Sequence, residues 1–510
     1  MRFKPTIYLT LLILTEIKME LITDHALSVV YMKNLVDMED NFIGELTNYT
    51  IALKEKINTI ESFLKEVRIK REISKKNPEE FVSNPLNGYS LIRRLYEDWS
   101  YFELYLPIVA GASHLENIKN NLNTNTVLDM DMEDAAMGIS SIEVYYDLEA
   151  TDIARGFFRG KQYNGTLNTM ECLVMANYAT INGREQSSIN WHEAAFQRYE
   201  QDEMEHGQEL RQVFDFSLPQ LFKKYTDSLM VKGFRRASID LLRGVSDSDV
   251  RLWQLQRLLE KQIKAFGVDA TYIKPPLQNF QRNCMDQSKT PNSKLKCFYE
   301  QKRTAFLAIA PLKTEILSLD PYIAIFHDVI YENEIRRVKN ITLSSFKGPL
   351  RYSNRDEYNV QFAKVYEDQQ SMLNKRIEDL TGDVVAKEDK DFDVYNYGIG
   401  GISYSHLDVP SEEDAEAGLG NYLTSIMFFL SDLEDGGALT FDNEGLTVPP
   451  KKGCALVWRN LDNFMTFDPR LFHSSCPVIM GSKWTLVKWL HEVPQIFARP
   501  CRNTYLEFNA

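Results

Sequence analysis

Between about Ala26 and Ser74 the chain has no proline, and apolar residues return at three- and four-residue steps. Met38, Phe42, Leu46, Tyr49, Leu53, Ile57, Ile60, Leu64 and Val67 share one helical stripe, with Glu and Lys between them. Consecutive steps of four keep the spacing nearer a straight helix than a strict heptad supercoil. A stripe this long calls for a partner helix, and the pattern leaves two open: packing within the chain, or self-association of two chains. Asn84-Pro85-Leu86-Asn87-Gly88 predicts a break, after which helical spacing resumes from Tyr89 to Leu106.

From about Ser141 to Gly267 the spacing predicts shorter helices, with loops at Asn164-Gly165 and Asn182-Gly183. Trp191-His192-Glu193-Ala194-Ala195-Phe196 resembles part of a tetratricopeptide-type helix-turn-helix repeat, in which small alanines let paired helices approach. Tyr178, Trp191 and Tyr199 are either core or the lining of a groove for an extended, proline-containing peptide. Beyond Pro275-Pro276 the texture changes. From about Asp391 short β-rich runs alternate with Gly, Pro and Asp, as in Val394–Tyr397, Leu423–Leu430, Cys454–Trp458 and Trp484–Leu490. That spacing predicts a sandwich or barrel. The expected fold class is α+β and multidomain: a helical front half and a β-rich domain behind it.

Composition narrows the function. The 510 residues allow about three domains, and 44% hydrophobic with 25% charged residues excludes wholesale disorder. A net charge of −14 argues against nucleic acid as a partner. Arg2 and Lys4 before the short apolar run Ile7–Leu14 read as a secretory leader, 1–18, since the run is too short for a membrane span. No later stretch is long and apolar enough to cross a bilayer. Sequons at Asn48, Asn164 and Asn340 agree with a secreted, glycosylated chain.

The candidate chemistry lies in the last 120 residues or so. His406 and Asp408 are two apart at the end of a strand-like segment, so both project to one face. His473, in another apolar run, offers a third donor. Two imidazoles and a carboxylate form the facial triad that holds non-haem Fe(II) and leaves adjacent positions open. Lys483 follows on a strand bounded by Trp484 and Trp489, where a cation must find an anion. A 2-oxo acid on the iron with its distal carboxylate on Lys483 would meet that need. His491, eight residues on, either touches this co-substrate or is a satisfied structural histidine.

Taken together these stretches resemble the collagen prolyl 4-hydroxylase α-subunit family. The similarity runs from Val394–Gly401 through His406-Leu407-Asp408, Phe428–Asp432, Gly436-Gly437-Ala438 and Pro449–Gly453. It resumes at Cys476–Trp484 and Lys488–Glu492 and ends at Arg499-Pro500-Cys501. Asn77–Val82, Asn84-Pro85 and Trp99 resemble that family's N-terminal domain, and Ile323–Ile330 the opening of its catalytic domain. The resemblance implies a domain order of 19–140 for dimerisation and 141–270 for a tetratricopeptide-like peptide-binding domain. A catalytic region, 271–510, would follow, with a double-stranded β-helix (jelly-roll) core at about 390–495.

It further implies Fe(II) on His406, Asp408 and His473, with 2-oxoglutarate against Lys483 and helped by His491. Peptidyl proline in a collagen-like or other proline-rich secretory polypeptide would be hydroxylated as the 2-oxo acid gives succinate and CO2, with L-ascorbate rescuing the iron. The implied setting is the endoplasmic reticulum lumen, in a tetramer of two α chains with two copies of protein disulfide isomerase. The chain ends Glu507-Phe508-Asn509-Ala510, so retention is expected through that partner. Family cysteines imply disulfides Cys284–Cys297 and Cys476–Cys501, leaving Cys172 and Cys454 as buried thiols.

Three departures stand out. Where the family reads Gly-Gly-Gln-Tyr-Glu-Pro-His-Phe-Asp, this chain has Ser403 at the tyrosine position and Tyr404 one place later. A one-residue step reverses the face of a strand, so Tyr404 is not an obvious substitute and weaker co-substrate binding is expected. Phe472 replaces a basic residue before the second histidine, and Thr180 falls on an expected groove tyrosine, with Tyr178 nearby. A non-catalytic paralogue binding peptide or protein disulfide isomerase is the alternative, and the intact triad argues against it.

Overall fold

The computed structural model describes residues 26, 28–124, 127–206, 218–243, 250–266, 274–285, 296–343, 346, 357–366, 371–389, 391–410, 416–462 and 464–498. The expected leader, 1–18, and Cys501 lie outside these residues. Two compact units are formed, one of them Val30–Leu128 and the other taking in the residues from Asp129 onward.

The smaller unit is all helical. The apolar stripe becomes α1 (Val29–Lys76). The predicted break is two helix starts rather than a loop: Asn77 caps α2 (Pro78–Ser83) and Asn84 caps α3 (Pro85–Arg93). Each Asn side chain accepts an orphan backbone N–H, and each proline occupies the first helical position, where its missing N–H costs nothing. A π turn, Arg94–Asp98, leads into α4 (Trp99–Tyr105), and α5 (Ala112–Thr124) closes the unit. Phe63 of α1 stacks on Phe102 at 3.9 Å and meets Trp99 edge-on at 5.4 Å. Lys56 donates to the Leu106 carbonyl at 2.6 Å, and His114 lies 2.7 Å from Glu45. The stripe is thus split. The edge carrying Tyr49 and Phe63 is partly covered within the chain, while Leu46, Leu53 and Ile57 are exposed.

The larger unit begins with α6 (Asp129–Tyr145), α7 (Ala150–Ala154), the short strands β1 (Phe157–Phe158) and β2 (Lys161–Gln162), then α8 (Thr169–Ile181) and α9 (Glu185–His206). Asn168 and Glu171 form a capping box that starts α8. Ala194 and Ala195 are buried where the helices close, as their small size allows. Trp191 is fully buried and donates to Glu143 at 2.8 Å, tying α9 to α6. Trp191 and Tyr199 are therefore core, whereas Tyr178 is half-buried. α10 (Leu218–Lys232), α11 (Arg235–Arg243) and α12 (Val250–Phe266) continue the helical layer.

After α13 (Asn279–Met285) come β3 (Cys297–Glu300), β4 (Leu312–Leu319), β5 (Tyr322–His327), α14 (Glu332–Leu343), β6 (Glu357–Val365), α15 (Ser371–Thr381) and β7 (Phe392–His406). The remaining strands are β8 (Tyr422–Phe429), β9 (Asp435–Gly436), β10 (Leu439–Phe441), β11 (Leu446–Val448), β12 (Ala455–Arg459), β13 (His473–Ser475), β14 (Val478–Met480) and β15 (Trp484–His491). α16 (Val493–Ala498) follows. One curled antiparallel sheet runs in the order β11-β10-β13-β7-β15-β8-β12-β5-β4-β3, with β6 also on β7; β9 and β14 pair as a separate two-stranded sheet. It is the expected jelly roll. Its inner face is an apolar cluster of Tyr395, Tyr397, Met427, Phe429, Phe441, Trp458 and Val487.

β7 carries the first site residues, and two contacts fix it against the helical layer. Gly400 has φ +55°, and its backbone meets Gly138 of α6 so closely that a Cβ on Gly138 would lie 2.1 Å from the Ile399 carbonyl. Asn359 donates to the carbonyls of Asp134 (2.6 Å) and Ile399 (2.8 Å), stitching α6, β6 and β7 together.

The cysteine pairing differs from the expected one. Cys284 is bonded to Cys476, with Cα atoms 5.6 Å apart, and Cys297 is an exposed free thiol. The reason is topological. Asn283 of α13 bonds Asp442, just after β10, and accepts from Thr447 on β11, which seats Cys284 beside the β13 end of the sheet. Cys297 lies on β3 at the opposite end of the strand order. Cys172 and Cys454 are buried thiols. No helix among the described residues is long and apolar enough to cross a membrane.

Candidate metal and co-substrate site

His406 closes β7 and His473 opens β13, and the two are direct partners in the antiparallel ladder. A bulge separates that pair from the next, Ser403 with Ser475, so all four side chains reach the inner face. Asp408 follows two residues after β7. His406 Nε2 lies 3.9 Å and His473 Nε2 3.7 Å from Asp408 Oδ1, and the rings are 4.4 Å apart. One donor atom from each residue falls within 4.8 Å of the others, a spacing one metal ion can bridge.

Every donor is aimed by its other end. His406 Nδ1–H is donated to the Tyr404 carbonyl at 2.7 Å, and His473 Nδ1–H to the Leu471 carbonyl at 3.0 Å. Both rings thus keep a lone pair on Nε2. Ser425 donates to Asp408 Oδ2 at 2.5 Å and itself accepts from Asn460 at 2.7 Å, leaving Oδ1 turned to the imidazoles. Burial pushes the His473 pKa down to about 4, against the opposing pull of Asp408, so the ring is neutral and able to ligate at neutral pH. Trp458 packs edge-on against it at 5.1 Å.

Lys483 is fully buried. Its ammonium donates to Ser475 at 2.9 Å and lies 4.3 Å from the centre of the Tyr397 ring. Ser475 is two residues from His473 on the same strand face, so this cation stands about 7 Å along the wall from the metal donors. His491 is at the other end of β15. It lies just beyond the Trp489–Ser425 rung where Asp408 is held. Its Nδ1 is 2.5 Å from Asp389 and its ring 4.7 Å from that of Tyr422. The structure brings His406, Asp408, His473 and Lys483 to one chamber and anchors His491 on a carboxylate of its own.

Strand alternation settles the tyrosine question. Ser403 faces inward, its hydroxyl 3.5 Å from His406, whereas Tyr404 faces outward and packs with Ile142, Tyr146 and Phe280. The inner face therefore has a serine where the family's tyrosine would reach in.

Sequence reasoning missed Ser425, Asn460, Asp389 and Ser475. All four act through strand pairing that no local motif announces. Also missed was Thr485, legible in principle because it is two residues from Lys483 on one strand. Among the described residues, the Oγ1 of Thr485 and the indole nitrogens of Trp458 and Trp489 are buried without hydrogen-bond partners. An unmet buried group costs ~1–3 kcal/mol, which favours a polar guest in the chamber. The donor set and these atoms fit Fe(II) with a 2-oxo dicarboxylate.

Residues 392–491 match the family model described as the 2OG-Fe(II) oxygenase superfamily, and residues 28–160 match that of the prolyl 4-hydroxylase alpha-subunit, N-terminal region. Prolyl 4-hydroxylase subunit alpha-1 of Homo sapiens is 27% identical over 94% of this chain and 96% of its own length. The Caenorhabditis elegans subunit alpha-1 is 28% identical over 94% of this chain and 91% of its own. Among solved structures, a viral collagen prolyl hydroxylase from Paramecium Bursaria Chlorella virus-1 aligns with 34% of this chain and 96% of that one, at 20% identity and a TM-score of 0.28. The chain is thus similar along nearly its whole length to prolyl 4-hydroxylase alpha subunits, and its two matched regions are those of an alpha-subunit N-terminal region and a 2OG-Fe(II) oxygenase domain.

Proposed function

We propose that the chain is the catalytic α subunit of a prolyl 4-hydroxylase acting on collagen-like or other proline-rich secretory polypeptides. The observation that carries this is the donor set: two histidines from paired strands and an aspartate just past one of them, each with its second polar atom already satisfied, converge beside a buried lysine. His406, Asp408 and His473 would hold Fe(II), and Lys483 would receive the distal carboxylate of 2-oxoglutarate. When bound, Fe(II) with 2-oxoglutarate and O2 supplies the oxidising power for C–H hydroxylation, and succinate and CO2 are released. The chain's own part is positioning and exclusion of water. Ser425 and Asn460 fix the carboxylate, the Tyr404 and Leu471 carbonyls fix the imidazoles, and Trp458, Phe441 and Tyr397 line a dry wall.

The setting proposed is the endoplasmic reticulum lumen, with ascorbate as reductant and protein disulfide isomerase as partner in an α2β2 tetramer. The exposed apolar edge of α1 supports association, and the exposed Asn48, Asn164 and Asn340 are accessible to glycosylation. The test is co-expression with protein disulfide isomerase, then incubation of a Pro-Pro-Gly repeat peptide with Fe(II), 2-oxoglutarate and ascorbate. Mass spectrometry should find 4-hydroxyproline, absent from a His406→Ala control. No product, with no stoichiometric iron, would reduce the chain to a binding subunit.

A further inference from the structure

The rung that carries both imidazoles is the last of its ladder. β7 ends at His406, β13 begins at His473 and β10 ends at Phe441, and the three residues pair side by side. Just past that rung the side chain of Asp442 lies across all three strand ends. Its Oδ1 accepts from Thr440 of β10 at 2.7 Å and from Ser474 of β13 at 2.9 Å, and its Oδ2 accepts from Ser405 of β7. Ser405 and Ser474 are the chain neighbours of His406 and His473, so by alternation they leave the sheet on the face opposite the imidazoles. Asp442 itself is buried and held at both ends of its backbone. Its N–H donates to the Phe472 carbonyl at 2.8 Å, and Asn283 of α13 donates to its carbonyl at 3.3 Å.

We infer that Asp442 is a positioning residue for the metal site: its carboxylate staples the ends of β10, β13 and β7 from the outer face and so sets how far apart His406 and His473 stand on the inner one. This rests on the reading of His406, Asp408 and His473 as an Fe(II) site and names what holds the two rings 4.4 Å apart. The Tyr404 and Leu471 carbonyls fix how each ring is turned, but each belongs to the same segment as its histidine and cannot fix one strand end against another. A carboxylate can, because it accepts on both oxygens and its hydrogen bonds are among the strong ones. Without it the terminal rung is free to fray, and a site left about 1 Å too loose no longer holds its geometry.

The test is titration of the full chain with Co(II), a stand-in for Fe(II) whose visible d–d absorption reports the arrangement of its ligands. Asp442→Ala removes the staple, and Ser405→Ala cuts its bond to β7. Each is expected to bind Co(II) about tenfold more weakly, as on loss of other partners behind metal ligands, with an altered spectrum at saturation. Adding Ser405→Ala to Asp442→Ala should cost no further affinity, since both break the same link. Asp442→Asn, whose amide can keep its oxygen on Thr440 and Ser474 and turn its N–H to Ser405, should recover most of the loss. A residue that only supports the fold would lower the unfolding midpoint and leave the Co(II) affinity and spectrum of the folded chain as in wild type, and that result overturns the inference. Losses that multiply in the double variant overturn it too. Ser405→Ala is the milder change, and wild-type Co(II) affinity and spectrum in that variant overturn the inference even where Asp442→Ala does not fold. A wild-type chain that takes up no Co(II) overturns the metal-site reading beneath it as well.

Discussion

Two buried histidines, one in the jelly roll and one in the helical layer, share nearly all of their immediate chemistry. His473 and His192 are 3% and 2% exposed. Each has Nδ1 against a backbone carbonyl, Leu471 at 3.0 Å and Ser188 at 2.8 Å. Each packs on an aromatic ring, Trp458 or Tyr225, and burial lowers the pKa of each to about 4. What differs is the other nitrogen. His473 Nε2 shares its space with His406 and Asp408, donors brought in by a neighbouring strand and its exit, while His192 Nε2 has no partner among the described residues. A helix presents His192 to whatever happens to pack on it. A strand ladder presents His473 in register with a second histidine. A metal site is a property of that convergence, and a buried neutral imidazole alone does not announce one.

The sharpest way to separate the two is acid. The folded pKa of His192, about 4, lies below its ordinary 6.5. Between those values the unfolded chain binds a proton that the folded chain refuses. The His192 contribution is therefore intact above about pH 6.5, and stability falls as pH drops towards 4, by an amount approaching ~3 kcal/mol. Glu143 works the other way, because burial raises its pKa and the folded state takes up its proton more readily. The measurement is accordingly a difference: denaturant unfolding of wild type and His192→Gln at pH 7 and pH 4.5. The variant should show the shallower loss, and its iron content should equal that of wild type. An iron-depleted His192→Gln protein would break the comparison.

The second test sharpens the catalytic side. Ser425 touches no metal, yet it holds the oxygen of Asp408 that faces away from the imidazoles. Ser425→Ala should weaken Fe(II) binding ten- to a hundredfold, roughly 1.4–2.7 kcal/mol, as removal of such outer partners does elsewhere. Competition against a chelator would measure it. An unchanged affinity would mean that Asp408 is aimed by the backbone alone.

The legible part of this molecule was what lies close in sequence. His406 and Asp408 share a face by the period of two, and the α1 stripe is written in neighbouring turns, whereas the break expected at Asn84-Pro85 is a helix start. The inward turn of Ser403 and the outward turn of Tyr404 also followed from alternation. What was hidden depends on which strands become neighbours. Ser425 is 17 positions from Asp408, and Asn460, which holds Ser425, is 35 positions from that serine; the chain of contacts forms only because β8 carries the one and β12 ends beside the other. Cys284 and Cys476 are 192 residues apart, and no local pattern pairs them. Such contacts are set by sheet topology, which hydrophobic periodicity does not encode.

The smallest expected effect concerns the smaller unit. The sequence left open whether the α1 stripe packs within the chain or against another copy, and the structure divides it between a covered edge and an exposed one. Leu53 and Ile57 are 37% and 52% exposed. Replacing either by Ser should change the unfolding free energy by no more than ~0.5 kcal/mol, the range for surface sites outside special features. The double variant, Leu53→Ser with Ile57→Ser, should instead shift the sedimentation of the full chain towards the single-chain species if the exposed edge is the proposed surface between chains. Truncating Phe63, stacked on Phe102, should do the reverse: lower the stability of the unit without changing how chains associate. If the serine variants lose more than about 1 kcal/mol of stability, the exposed edge is covered in solution by the chain itself, and the division of the stripe fails.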